Sequence, residues 1–280
     1  MGSPLRSAIM WPESEVVSRV GLRQGSKSPW LLTHVDGRQA VLRDQGPFDT
    51  EIAALTAAEA NGVVAPRVLA SSETGLLISV VPGSSLIPTE LAPGRLEAIG
   101  AAAATIHAIA LAPTKDLPAR HRPIELVDFD DWRARRTASP LLLEAMEAVA
   151  TLPEPPHPTV LLHGDFWQGN TMWVDGALVA VIDWDCAGVG HPGVDLGSLR
   201  CDAALFYGPE YVDRVSEGWR SKAGKPAPDV AYWDVVASLS TPPDVGEWLP
   251  NAVDQGRPDL DGPTLNARRD EFLKAALSQL

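Results

Sequence analysis

The sequence predicts an α+β fold in two lobes, an antiparallel sheet followed by a mostly helical remainder, on three observations. As far as Val81, short apolar segments alternate with turn residues, the pattern of paired strands. From Arg95 onward most apolar positions recur three and four apart, the pattern of helices buried on one face. Between the helical patches, residues 160–182 read as strand, polar loop and hairpin, and they gather the chain's most telling polar residues. At 280 residues there is enough chain to bury a core in each lobe. The boundary is expected at Pro82, dividing the chain into residues 1–82 and 83–280.

Taken in order, Val16, Val17 and Val20, then Trp30–Val35, then Ala40–Leu42 ending in Arg43, read as three antiparallel strands. The first two are joined by a glycine-bearing loop that includes Gly25 and Ser26. Such a loop can lay backbone N–H groups over phosphates, and it serves equally as a plain hairpin turn. It is not a P-loop, which needs glycine immediately before Lys-Ser, where Ser26 stands. A helix from about Thr50 to Asn61 carries Glu51 and Glu59 and ends at Asn61-Gly62. Val63–Ala70 and Leu76–Val81 complete a five-stranded sheet.

The second lobe opens with an alanine-rich helix, Arg95–Ile109, on which His107 reads as a packed, hydrogen-bonded histidine. Helices follow from Asp128 to about Arg136 and from Leu141 to Leu152. Further helices are expected over Leu196–Tyr207, Pro209–Ala223, Pro228–Ser240 and Asn266–Leu280. Between the last two, Thr241–Pro263 is rich in Pro, Gly and Asp and reads as an excursion over a cleft, carrying Asp244, Glu247, Asp254, Asp259 and Asp261.

The composition narrows the function. The net charge of −13 is uneven: residues 1–120 carry 10 basic and 11 acidic side chains, residues 121–280 carry 13 and 25. A nucleic-acid binder needs the opposite sign. An acidic second lobe attracts a cationic small molecule, or merely keeps the surface solvated. No apolar run is long enough to span a bilayer, and Met1–Met10 lacks a signal-peptide core. Two cysteines imply no disulfide framework. A cytoplasmic setting fits.

The informative stretch is residues 160–196. Val160–Leu162 is a short buried strand that delivers His163, Gly164 and Asp165 into a turn, with Asn170 five positions after Asp165. Asp175-Gly176 between two apolar segments is a strong two-residue hairpin signal, and the second strand of that hairpin runs into Asp183. Three oxygen-bearing side chains, Asp165, Asn170 and Asp183, thus reach one pocket mouth. Phosphoryl transfer to a hydroxyl needs a carboxylate to orient the acceptor and hard oxygens to hold Mg²⁺ against the phosphates.

The pattern His-x-Asp-x-x-x-x-Asn, then a hairpin, then Asp is that of protein-kinase-like folds. Here Gly164 stands in place of Arg, and Asp183 precedes Trp184 instead of Phe-Gly. With Ile182, Asp183, Trp184, Gly190, Pro192, Asp195 and Leu196 all in register, the chain resembles the aminoglycoside phosphotransferase and choline kinase family of small-molecule kinases.

That resemblance implies a bilobal protein-kinase-like fold and transfer of the γ-phosphoryl group of ATP or GTP to a small hydroxyl acceptor. It implies Asp165 as the catalytic base and Asn170 and Asp183 as Mg²⁺ ligands. Arg43, where protein kinases usually have Lys, would steady the phosphates, braced by Glu51. Ser79, Val80 and Val81 would neighbour the adenine edge. His163 and Asp195 would support the loop, while Gln168 and Asp185 lie near the site without an assigned step. Two other readings remain, a nucleotide-binding pseudokinase and a metal-dependent hydrolase using His163, Asp165 and His191.

Overall fold

The computed structural model describes residue 11 and residues 15–22, 29–124, 134–136 and 139–280. The expected loop residues Gly25 and Ser26, and most of the helix expected over Asp128–Arg136, lie outside the described residues. The five expected strands form one antiparallel sheet: β1 (Val16–Gly21), β2 (Trp30–His34), β3 (Gln39–Arg43), β4 (Val68–Ser72) and β5 (Gly75–Ser79), in the order β1-β2-β3-β5-β4. α1 (Asp49–Ala60) lies between β3 and β4 in the chain.

Alternation along β5 accounts for the two faces of this sheet. Leu76 and Ile78 face the main core with Leu55 of α1, while Leu77 packs with Leu32, Ala40 and Ala70 on the other side. Register sets Arg43 opposite Leu76 at the end of β3.

Two strand expectations are corrected. Residues 63–67 are not strand. The Val63 N–H closes the end of α1 on the Ala58 carbonyl, and the Val64 carbonyl accepts from Val181. β5 stops at Ser79, so Val80 and Val81 belong to the crossing segment. That segment is tied beyond Gly83, where Ser84 and Trp173 exchange two main-chain hydrogen bonds of 3.0 Å.

The remainder is mainly helical: α2 (Arg95–His107), α3 (Pro140–Thr151), α4 (Gly193–Phe206), α5 (Asp213–Ala223), α6 (Val230–Leu239), α7 (Leu249–Asp254) and α8 (Gly262–Leu277). α4 is buried on nearly every side, its charged Asp195, Arg200 and Asp202 included. α2 and α5 cross closely because Gly100 and Gly218 have no side chains. A β-carbon on either would collide with the partner helix's backbone, at Val215 and Glu97 respectively. Two small sheets complete the fold. β7 (Val160–Leu162) and β10 (Gly188–Gly190) pair antiparallel, with β6 (Ala119–Arg120) parallel to β10. The expected hairpin is β8 (Thr171–Val174) with β9 (Ala177–Val181).

The excursion at 241–263 is more ordered than its composition suggests. It holds a 3₁₀ turn (Val245–Trp248) and α7, and α8 starts earlier than expected because Asp261 caps it by accepting from the Thr264 N–H at 2.7 Å. Its acidic side chains make local bonds: Asp244 with Asn266 and the Gly246 N–H, Asp259 with Arg257, Glu247 with Arg135. Among the described residues no helix is long and apolar enough to cross a membrane.

Candidate active site

The loop after β7 is held from beneath by one carboxylate. Asp195, in the first turn of α4 and fully buried, accepts from the backbone N–H of His163 at 2.8 Å and of Gly164 at 2.9 Å. His107 completes the set at 3.1 Å. Because Trp219 Nε1 donates to His107 Nδ1, it is the His107 Nε2–H that faces Asp195. Burial alone would raise the Asp195 pKa, but the His107 bond, the nearby histidines and the Gly164 N–H hold it below the usual carboxylate value.

His163 is buried and kept neutral by desolvation. Its Nε2 lies 2.8 Å from the Ile182 carbonyl and its Nδ1 faces the Asp165 N–H at 3.4 Å. Gly164 has a φ of +82°, and a β-carbon there would strike the Cys186 carbonyl, so an arginine could not stand in its place.

Asp165 is half-buried at the end of this loop. Burial and the neighbouring charges of Asp183 and Asp185 push its pKa up to about 7, against a bond from Asn170. Asn170 Nδ2 donates to the Asp165 carbonyl at 2.8 Å and to its Oδ2 at 3.3 Å. Its Oδ1 makes no hydrogen bond among the described residues. The Asn170 carbonyl accepts from the Ile182 N–H at 2.9 Å, which brings Asp183 alongside. Asp183 itself has a φ of +66°, a sparsely populated conformation for a residue with a side chain.

Arg43 reaches this cluster from the sheet. Its Nη1 donates to Asp183 Oδ1 at 2.5 Å and to Glu51 Oε1 at 3.1 Å, and its Nη2 to Asp185 Oδ2 at 3.4 Å. Burial opposes the charge on Arg43, but the three carboxylates outweigh it and raise its pKa. The structure therefore brings Arg43, Glu51, Asp165, Asn170 and Asp183 together, with His163 and Asp195 behind them. Ser79 is committed to Arg67 through its N–H at 2.8 Å and its Oγ at 2.9 Å. The backbone groups of Val81 make no main-chain hydrogen bond among the described residues.

Several residues of this arrangement had no role assigned from the sequence. Asp185 joins the arginine clasp. Arg120, from β6, donates to the Cys186 and Ala187 carbonyls at 3.1–3.3 Å and fixes the turn after Asp185. Gln168 is fully buried between Arg95 and Asp202. Only their place inside the motif singled out Gln168 and Asp185, and nothing singled out Arg120. His191 turns elsewhere, with Asp229 at 3.2 Å, the Gly193 N–H at 2.9 Å and Trp233 stacked on it. Among the described residues no group of three or more His, Cys, Asp or Glu is placed to hold a metal.

The chain is similar to several known proteins. A viomycin phosphotransferase from Streptomyces vinaceus is 30% identical over 162 residues, 51% of this chain and 55% of that protein, so the chain spans about half the length of that curated relative. The solved structure of an amicoumacin kinase in complex with AMP-PNP, Ca²⁺ and Ami superposes with a TM-score of 0.64 at 14% identity, covering 95% of this chain and 90% of that one. The choline kinase of Cryptosporidium parvum Iowa II does so at 0.59 and 15%, covering 96% and 92%. At such identities these two show the fold alone. A sequence model of the phosphotransferase enzyme family (APH) matches residues 16–233, and the chain belongs to that family.

Proposed function

We propose that this chain transfers the γ-phosphoryl group of ATP or GTP to a hydroxyl of a small polar molecule. A cationic amino-alcohol or aminoglycoside-like compound is the class to test first. Residues 1–82 would form the nucleotide lobe and residues 83–280 the catalytic and acceptor lobe, in a cytoplasmic setting. The observation that carries the reading is Asp165, its pKa pushed up to about 7, beside an Asn170 whose Oδ1 takes no hydrogen bond among the described residues and an Asp183 brought alongside.

In this reading Asp165 orients the acceptor hydroxyl and takes its proton as the oxygen attacks the γ-phosphorus. The bond from that phosphorus to the β–γ bridging oxygen breaks, and the nucleoside diphosphate leaves. Two protein oxygens, Asn170 Oδ1 and the Asp183 carboxylate, suit Mg²⁺, which takes one or two protein ligands and completes its shell with phosphate and water. When bound, the ion would neutralise charge developing on the transferred group. Arg43, braced by Glu51, would offer the same phosphates a planar fork of donors. The main-chain groups of Val81, unbonded among the described residues, suit the adenine edge, and Ser79 would contribute only as a neighbour.

The acidic surplus of residues 121–280 favours a cationic acceptor, though Asp244, Asp259 and Glu247 are already engaged locally. A nucleotide-consumption screen, run with ATP and GTP against amino-alcohols, aminoglycosides, cationic peptides and neutral sugars, tests the reading. Acceptor-dependent release of the diphosphate, lost in Asp165→Ala, is expected. No binding of either Mg²⁺-nucleotide would sink it.

A further inference from the structure

Gln168 lies midway between Asp165 and Asn170 and has every polar atom engaged. Its Oε1 accepts from Arg95 Nε at 3.1 Å, and its Nε2 donates to Asp202 Oδ2 at 2.8 Å. This order of atoms is forced, because an arginine only donates. Its backbone N–H also faces Asp202 Oδ2, at 3.4 Å. Its carbonyl accepts from Thr171 Oγ1 at 2.5 Å, Thr171 Oγ1 accepts from Trp173 Nε1 at 2.8 Å, and the Arg95 guanidinium lies 4.2 Å over the Trp173 ring. The contacts close a ring, Arg95 to Gln168 to Thr171 to Trp173 and back. Trp173 is in turn paired with Ser84 at the lobe crossing.

Arg95 and Asp202 are both buried, yet no hydrogen bond joins them among the described residues. Gln168 is the neutral link that lets a buried cation and a buried carboxylate share one network. Gln168 opens the 3₁₀ turn Gln168–Asn170, whose last residue bonds Asp165, so its orientation sets that of the pair.

We propose that Gln168, clamped between Arg95 and Asp202, is a positioning residue that aims Asn170 and Asp165 at the Mg²⁺-nucleotide. The inference rests on the roles given above to those two residues. An apolar isostere at 168 would leave the turn free to rotate and the Asp202 carboxylate short of its main donor. The clamp is also reversible in polarity. A glutamate at 168 still accepts from Arg95, and an asparagine at 202 can donate back to it.

The test uses the full chain, with MgATP and MgGTP as probes and the same nucleotides with EDTA as reference. Equilibrium titration gives the metal-dependent increment in affinity, and thermal unfolding gives the stability of each variant. Gln168→Met should lose that increment about 10-fold or more. Gln168→Glu combined with Asp202→Asn should recover it to within about 3-fold of the parent. If Gln168→Met does not fold, the double variant is compared with Asp202→Leu, which removes the same bond from the other side. A Gln168→Met protein with an unchanged increment overturns the inference, even if its Tm falls, since that is what a purely structural brace would do. A double variant no better than Gln168→Met also overturns it. A parent that binds neither nucleotide removes instead the reading on which the inference rests.

Discussion

Removing the Asp195 carboxylate should unfasten the loop after β7, and its cost can be worked from three distances. The side chain accepts from His163 N–H at 2.8 Å, Gly164 N–H at 2.9 Å and His107 Nε2 at 3.1 Å, all in the buried interior. A buried donor left without a partner costs about 1–3 kcal/mol. With partial relaxation Asp195→Ala should therefore lose about 3–6 kcal/mol, or roughly 10 °C in Tm for a chain of this size. Asp195→Asn keeps one acceptor oxygen, which at the Oδ2 position still serves His163 and His107, so its loss should be less than half as large.

The pH dependence has a definite sign. The folded pKa of Asp195 is depressed, so its contribution is fully present above the unfolded value near 4 and fades as pH falls through the folded value. Thermal unfolding at pH 7, 5 and 3 checks both points. Asp195→Ala should trail the parent equally at pH 7 and 5, and the gap should narrow at pH 3. A variant within 2 °C of the parent at pH 7 would refute the claim that this one carboxylate holds the loop.

Three further expectations follow from the site. Arg43→Ala should lose most turnover and Arg43→Lys should keep a substantial part, since a lysine supplies charge without the fork that reaches three carboxylates; equal activity in parent and alanine variant would relegate Arg43 to a structural ion pair. Asp165→Ala should cost roughly 10²- to 10⁴-fold in kcat and leave nucleotide binding nearly intact, as measured by kinetics beside titration. Asp202 has its pKa pushed up to about 7 by burial, against the Gln168 bonds, so its ionisation opposes folding increasingly from pH 4 to 7. Asp202→Asn should gain Tm over the parent as pH rises from 5 to 8, and a pH-independent difference would show that Asp202 titrates normally.

The site was legible where chemistry dictates both residue type and spacing. The strand at Val160–Leu162 and the hairpin turn at Asp175-Gly176 stand where expected, with φ of +49° and +79° at the two turn positions. The clustering of Asp165, Asn170 and Asp183 follows from those two elements. Pairings across long separations were not legible. Arg95 is 73 residues from Gln168, and Gln168 is 34 from Asp202, and no periodicity encodes such contacts. β6 and β10 are two and three residues long and carry no alternating pattern. The acidic stretch misled for another reason: composition reports the number of carboxylates but not their partners, and Asp261 is spent on capping α8.

The charge inventory of the cleft finally argues for linkage between metal and nucleotide. Glu51, Asp183 and Asp185 all bond the single guanidinium of Arg43, with Asp165 close by. If all four carboxylates are ionised, the cluster keeps a surplus of three negative charges, and the raised pKa of Asp165 is one consequence. A nucleoside triphosphate is itself strongly anionic, so entering this cleft unaccompanied means bringing like charges together. A divalent cation held by Asn170 and Asp183 would cut that surplus from three to one and let Arg43 turn from Asp183 toward phosphate. Nucleotide in EDTA should then raise Tm by far less than Mg²⁺-nucleotide at the same concentration, because stabilisation by a ligand follows its affinity for the folded state. Asp183→Ala should erase most of that difference. Equal shifts with and without Mg²⁺ in the parent would mean that nucleotide binds away from this carboxylate cluster.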